Sequence, residues 1–114
     1  MNVRPQPVQP ASLAEGIGAI WLRSKMIFLE RVTVIEHALA LLIEDSLDPG
    51  ARSEAERAAH TLAGSLGTFG VGHGSTLARA LEQRIADVKG LREEDVLRLS
   101  ELAMALRAEV ERGP

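Results

Sequence analysis

A chain of 114 residues with 46% hydrophobic and 25% charged residues and a net charge of −3 has the composition of one compact domain, able to bury roughly two thirds of its unfolded surface. The charge balance is mildly acidic and holds no block of like charge, so neither a nucleic-acid face nor attraction to anionic membranes is expected. Cysteine is absent, which excludes disulfides, thiolate catalysis and the usual structural zinc sites and fits a reducing cytoplasm.

Sixteen leucines and sixteen alanines, against two phenylalanines and no tyrosine, favour helices, since strands draw on β-branched and aromatic residues. Three of the five prolines fall in the first ten residues and one ends the chain, leaving Pro49 alone between them. The expected fold class is all-α. No apolar run approaches the roughly 20 residues that cross a bilayer, and "MNVRPQPVQP" lacks a signal peptide's apolar centre. The expectation is a soluble, cytoplasmic protein without a membrane partner.

Residues 1–11 read as a flexible tail or linker and residues 12–114 as a helical bundle. From about Ser12 to Leu47 the spacing of Ile17, Ile20, Trp21, Ile27, Phe28, Val34, Ile35, Leu39, Leu42 and Ile43 predicts one long helix, or a short helix running into a longer one. This segment is apolar on more than one side, so it either touches two neighbours or offers apolar surface to another chain. "DSLDPGARSE" breaks the pattern. Asp48 with Pro49 makes a cap and first-turn pair, and Ser53 with Glu56 an alternative capping box slightly later. A second helix then runs to about Phe69, "GVGHGS" forms a turn, and a third helix covers about Ser75 to Lys89, ended by Gly90. Acidic Glu93, Glu94 and Asp95 suit the positive end of a fourth helix, which keeps Val96, Leu99, Leu102, Ala103, Leu106 and Val110 on one face. Short connections make such helices antiparallel neighbours, so the architecture is an antiparallel four-helix bundle with room for an extra N-terminal helical segment.

Within the second helix, Ala55, Ala58, Ala59, Leu62, Leu66 and Phe69 form the core stripe, and His60 lies roughly 150° from its centre at 100° per residue. His60 therefore faces solvent, beside Ser53, Arg57, Gly64 and Gly67. Glycine costs a helix about 0.5 to 1 kcal/mol relative to alanine. Two of them one and two turns beyond an exposed imidazole leave the backbone bare for a partner's loop or a phosphate. Gly70 and Gly72 belong to the turn.

Other chemistries fit less well. "GVGHGST" has no P-loop lysine and no preceding strand, so no nucleotide site is expected. His37, His60 and His73 fall on separate elements without ligand spacing, so no metal site is expected. A Ser-His-Asp hydrolase would need a nucleophile elbow, and none is visible. What remains is histidine as nucleophile. A free imidazole with a pKa of about 6.5 is mostly neutral at pH 7 and can attack a phosphoryl group carried by another protein.

"AHTLAGSLGTFG" resembles the signature of the histidine-containing phosphotransfer domains of two-component phosphorelays. The likeness rests on Ala59-His60, Leu62 two residues later, Gly64 four later, "GTFG" at 67–70 and "LE" at 81–82. The resemblance implies a phosphocarrier rather than an enzyme, needing no cofactor, whose partners are receiver domains, histidine kinases or both. It implies that His60 accepts and donates the phosphoryl group, that Gly64 admits the partner's active site, and that Glu82 on the third helix orients the imidazole. Glu82 sits roughly 100° from the centre of a stripe formed by Leu77, Leu81, Ile85 and Val88, a flank that can face a neighbouring helix. The family often carries lysine three residues after its histidine; here that residue is Ala63. Arg57, one turn before His60, and Arg79, one turn before Glu82, are the candidates to supply the charge. The expected state is a monomer. The alternative reading is a helical docking module that binds receivers without transfer, or self-associates through its first helix.

Overall fold

The computed structural model describes residues 10–87 and 93–114 as four helices: α1 (Pro10–Ile43), α2 (Pro49–Thr68), α3 (Gly72–Ala86) and α4 (Glu93–Arg112). Among the described residues there is no strand. Each helix packs on its neighbours in sequence and α4 closes back on α1, giving the antiparallel four-helix bundle the periodicity predicts. Among the described residues the first helix is continuous, with no separate N-terminal piece, and it includes Pro10, two residues before the start that the apolar spacing indicates. Residues 1–9, most of the expected tail, lie outside the described residues, as do Val88 and Gly90.

The helix ends explain themselves chemically. At the end of α1, Asp45 takes a left-handed conformation with φ 54°; its N–H donates to Leu42 O at 3.0 Å and that of Ser46 to Leu41 O at 2.7 Å. This is a Schellman closure built on aspartate, one of the few side chains that tolerate positive φ. Asp48 caps α2, its carboxylate accepting from Ala51 N at 2.8 Å, with Pro49 in the first turn. The alternative box of Ser53 and Glu56 lies inside the helix. A second Schellman closure ends α2: Gly70, at φ 81°, donates to Gly67 O at 3.1 Å and Val71 to Leu66 O at 2.8 Å. Glycine suits this left-handed site because it has no Cβ to clash.

The connection between α2 and α3 is shorter than the glycines suggest. Gly72, His73 and Gly74 belong to the first turn of α3 rather than to a loop, because Val71 N already closes α2 and Val71 O accepts the first α3 bond from Ser75 N at 3.0 Å. At the other end of α3, Arg52 reaches across from α2. Its guanidinium donates to Ile85 O at 3.0 Å and Ala86 O at 2.8 Å, occupying carbonyls the helix leaves open.

The core joins Trp21, Phe28, Val32, Ile35 and Leu39 of α1 to Leu62 and Leu66 of α2, Leu77, Leu81 and Ile85 of α3, and Leu99, Leu102, Leu106 and Val110 of α4. Trp21, Phe28 and Phe69 meet with ring centroids 5.3 to 5.8 Å apart, closing the bundle at the end where α2 turns into α3. Phe69 is partly rather than fully buried, since it is the α2 cap residue. Half the expected α1 positions leave the core: Ile17, Ile20, Ile27, Val34 and Ile43 are exposed. Arg107 ties α4 to α1 through both Glu36 oxygens, at 2.9 and 2.6 Å, and through Thr33 Oγ1 at 3.0 Å. The Glu36 carboxylate holds the Arg107 guanidinium above its ordinary pKa.

Candidate functional site

The site follows from the contact between α2 and α3. The buried face of α2 is small-residue rich, with Ala55, Ala58, Ala59 and Ala63 among its six buried side chains, and α3 answers with Gly74, Ser75 and Ala78. Small contact residues let helix axes come together, since interaxial distance follows side-chain size. The antiparallel register reads from the pairs. A Cβ on Gly74 would stand 3.1 Å from Leu66 Cδ1. Ser75 Oγ donates to Ala63 O at 2.6 Å, and His60 meets Glu82. Arg52 caps the end of α3.

His60 projects from the outer edge of this contact with 76% of its side chain exposed, and its Nδ1 lies 2.5 Å from Glu82 Oε2, a carboxylate only 22% exposed. A carboxylate only accepts, so the nitrogen facing it carries the proton, and in the neutral ring the lone pair is then on Nε2. The tautomer is thus assigned by the hydrogen bond. The arrangement has three chemical consequences. The ring is held in one orientation, the nucleophilic nitrogen is the one away from Glu82, and any positive charge that develops on the ring lies beside a carboxylate.

The remaining residues singled out by the sequence divide. Arg57 lines the same surface depression as His60 and Glu82, together with Ser53 and Glu56, and it is exposed without a carboxylate partner among the described residues. Arg79 is exposed on α3 but does not line that depression. Gly64 is exposed, and a Cβ placed there would meet nothing within 4 Å, which is the bare backbone the sequence suggests. Gly67 is also exposed, yet its Cβ would stand 3.4 Å from Ser75 Oγ. Its vacancy therefore faces the start of α3 rather than the imidazole alone.

Ala63 is 6% exposed and belongs to the core, although the sequence-derived stripe leaves it out. Its carbonyl holds the buried Ser75 hydroxyl, and α3 covers its side chain. A lysine here would have to run its stem out of the helix contact to bring its charge to solvent. Sequence reasoning missed Ser75, Gly74 and Arg52, which set how α3 docks. The available signal was the spacing of Gly74, Ser75, Ala78, Leu81, Glu82 and Ile85, a helical stripe beginning within the apparent turn. His37 and His73 are both exposed, on α1 and on the first turn of α3. Among the described residues no cluster of histidine, aspartate and glutamate has the makings of a metal site, and no helix is long and apolar enough to cross a membrane.

Comparison with known families agrees with this geometry. The family model described as the Hpt domain matches residues 28–112, a span that includes His60, Glu82 and most of the bundle. No curated protein and no solved structure matches the chain.

Proposed function

Because the chain belongs to the Hpt domain family, we propose that it is a phosphorelay intermediate in which His60 takes a phosphoryl group from a kinase or a receiver-domain aspartyl phosphate and passes it to a receiver domain. The observation that carries this reading is the short His60–Glu82 pair on an otherwise open face. In the step from a receiver, the lone pair of Nε2 attacks phosphorus, the N–P bond forms, and the P–O bond to the donor aspartate breaks, leaving its carboxylate. The ring keeps its Nδ1 proton and becomes cationic, which the Glu82 carboxylate stabilises at close range. The return step reverses these bonds, with a receiver carboxylate as acceptor. Hpt domains carry phosphoryl groups without independent catalysis, so the partner supplies the catalytic groups.

In this reading Gly64 admits the partner's active site, and Arg57 contributes the positive charge that Ala63 lacks, as a guanidinium suited to phosphate oxygens. Arg79 serves the approaching receiver from farther out, and Gly67 keeps the α2 surface low beside α3. The location consistent with this exchange is the cytoplasm. The test is to incubate the purified chain with phosphorylated receiver domains or with histidine kinases and ATP. The expected outcome is acid-labile, alkali-stable labelling that His60→Gln abolishes; failure of every donor to label the wild type overturns the proposal.

A second reading is favoured by the buried Ala63: a module that docks receivers through the same face without transfer. It requires that His60→Gln keep full receiver affinity in a binding titration while the wild type forms no phosphohistidine.

A further inference from the structure

The first helix carries a second apolar seam that the bundle does not use. Ile17, Ile20, Ile27 and Val34 are 52%, 47%, 49% and 36% exposed, and with Ser24 and Arg31 they alternate at spacings of three and four residues, the a/d pattern of a coiled coil. At 100° per residue this seam lies roughly a quarter turn from the buried row of Trp21, Phe28, Ile35 and Leu39. Leu22 and Met26, also exposed, fall on another side of the helix and take no part. Trp21 is the first buried residue of α1 among those described. The seam therefore begins on a projecting end of the helix and continues onto the body of the bundle.

We infer that this seam pairs α1 with α1 of a second copy in an antiparallel, two-fold symmetric dimer. Aligned so that Ile17 of one copy faces Val34 of the other, the seam also sets Ile20 against Arg31 and Ser24 against Ile27. Every polar residue then meets an isoleucine, with the Arg31 stem lying along the apolar side chain. The flanking residues complete the match: in the same register Arg23 faces Glu30 of the other copy, and the symmetry makes that pair twice. A parallel pairing would instead set Arg31 against its own symmetry mate, like charge against like. A two-fold is thus selected by the chain's own charges, and a surface complementary to itself needs no other partner.

The body of the molecule has a place for the projecting end. Past Ile27 the seam enters the groove between α1 and α2, where Val34, Ala38 and Ala51 line one depression with Glu54 at its edge, and Arg31, Val34, Arg57 and Ala58 line the next. The antiparallel register lays residues 10–20 of the second copy along this groove. His60 lies on the α3 side of α2, bonded to Glu82, so the dimer leaves both imidazoles outward, while Arg57 borders both the groove and the His60 depression.

Sedimentation equilibrium on the full chain, from micromolar to submillimolar concentration, tests it. The expected result is a dimer for the wild type and, for Ile20→Asp, a monomer with unchanged helical content by circular dichroism whose melting temperature no longer rises with protein concentration, because Ile20 is outside the core. Arg23→Glu and Glu30→Arg alone should each raise the dimer Kd on the order of tenfold, and the two together should restore it. A wild type that stays monomeric throughout overturns the inference. So does a dimer that survives Ile20→Asp, or single charge reversals that the double variant fails to rescue.

Discussion

His60 and Gly64 are four residues apart on one helix face, and the chemistry of the site depends on the difference between them. The histidine is held by Glu82, while the glycine position opens on empty space. Gly64→Val should therefore leave the fold intact by circular dichroism, since its Cβ meets no neighbour, yet block phosphoryl transfer by standing a branched side chain beside Nε2. Unchanged labelling of His60 would remove the access role. Glu82→Gln retains an acceptor for Nδ1 but not the charge beside a cationic ring. It should slow transfer on the order of tenfold, about 1.4 kcal/mol in the barrier, with labelling still confined to His60. A quenched time course of transfer from a phosphorylated receiver measures this, and an unaltered rate would leave Glu82 no part beyond packing.

At the scale of the element, the closures of α1 and α2 use the same hydrogen-bond pattern with different residues, Asp45 in one and Gly70 in the other. A left-handed residue with a Cβ carries a penalty of about 1 kcal/mol that glycine avoids, part of which glycine returns through the entropy of its unfolded chain. Asp45→Gly should raise stability by about 0.5 kcal/mol in urea denaturation, without changing transfer. The first turn of α3 answers in the opposite sense. A Cβ at Gly74 would stand 3.0 Å from Val71 Cγ1, 3.1 Å from Leu66 Cδ1 and 3.4 Å from Glu109 Cβ, so Gly74→Ala should cost about 1 to 3 kcal/mol through overpacking. Because this turn sets where Glu82 falls, the same variant should also loosen the His60–Glu82 contact, visible as a change in the imidazole NMR resonances.

For the whole molecule, four helices form a closed ring in which the proposed phosphotransfer face occupies one seam, α2 with α3, while the aromatic layer and the Arg107–Glu36 tie serve others. The functional and structural faces of α2 are therefore separable. Leu62, two residues from both His60 and Gly64, is fully buried, and Leu62→Ala should cost about 2 to 5 kcal/mol. Below its lowered melting temperature that variant should still accept a phosphoryl group, in contrast to Gly64→Val, which keeps its stability and loses transfer.

Much of this was open to reading in the amino-acid order alone. Helical class, four elements, the Asp48-Pro49 start of α2 and an outward His60 all follow from residues within one or two turns of each other, where periodicity and capping chemistry act directly. Periodicity gives an angle about one helix axis and nothing about the distance or register between two axes. Only the packed bundle decided that Glu82 reaches Nδ1, that Ala63 is covered by α3, and that Gly74 and Ser75 belong to a helix contact rather than a turn. The tertiary structure likewise decided which side of the doubly apolar first helix is consumed by the core and which stays uncovered, because burial depends on where the other three helices end.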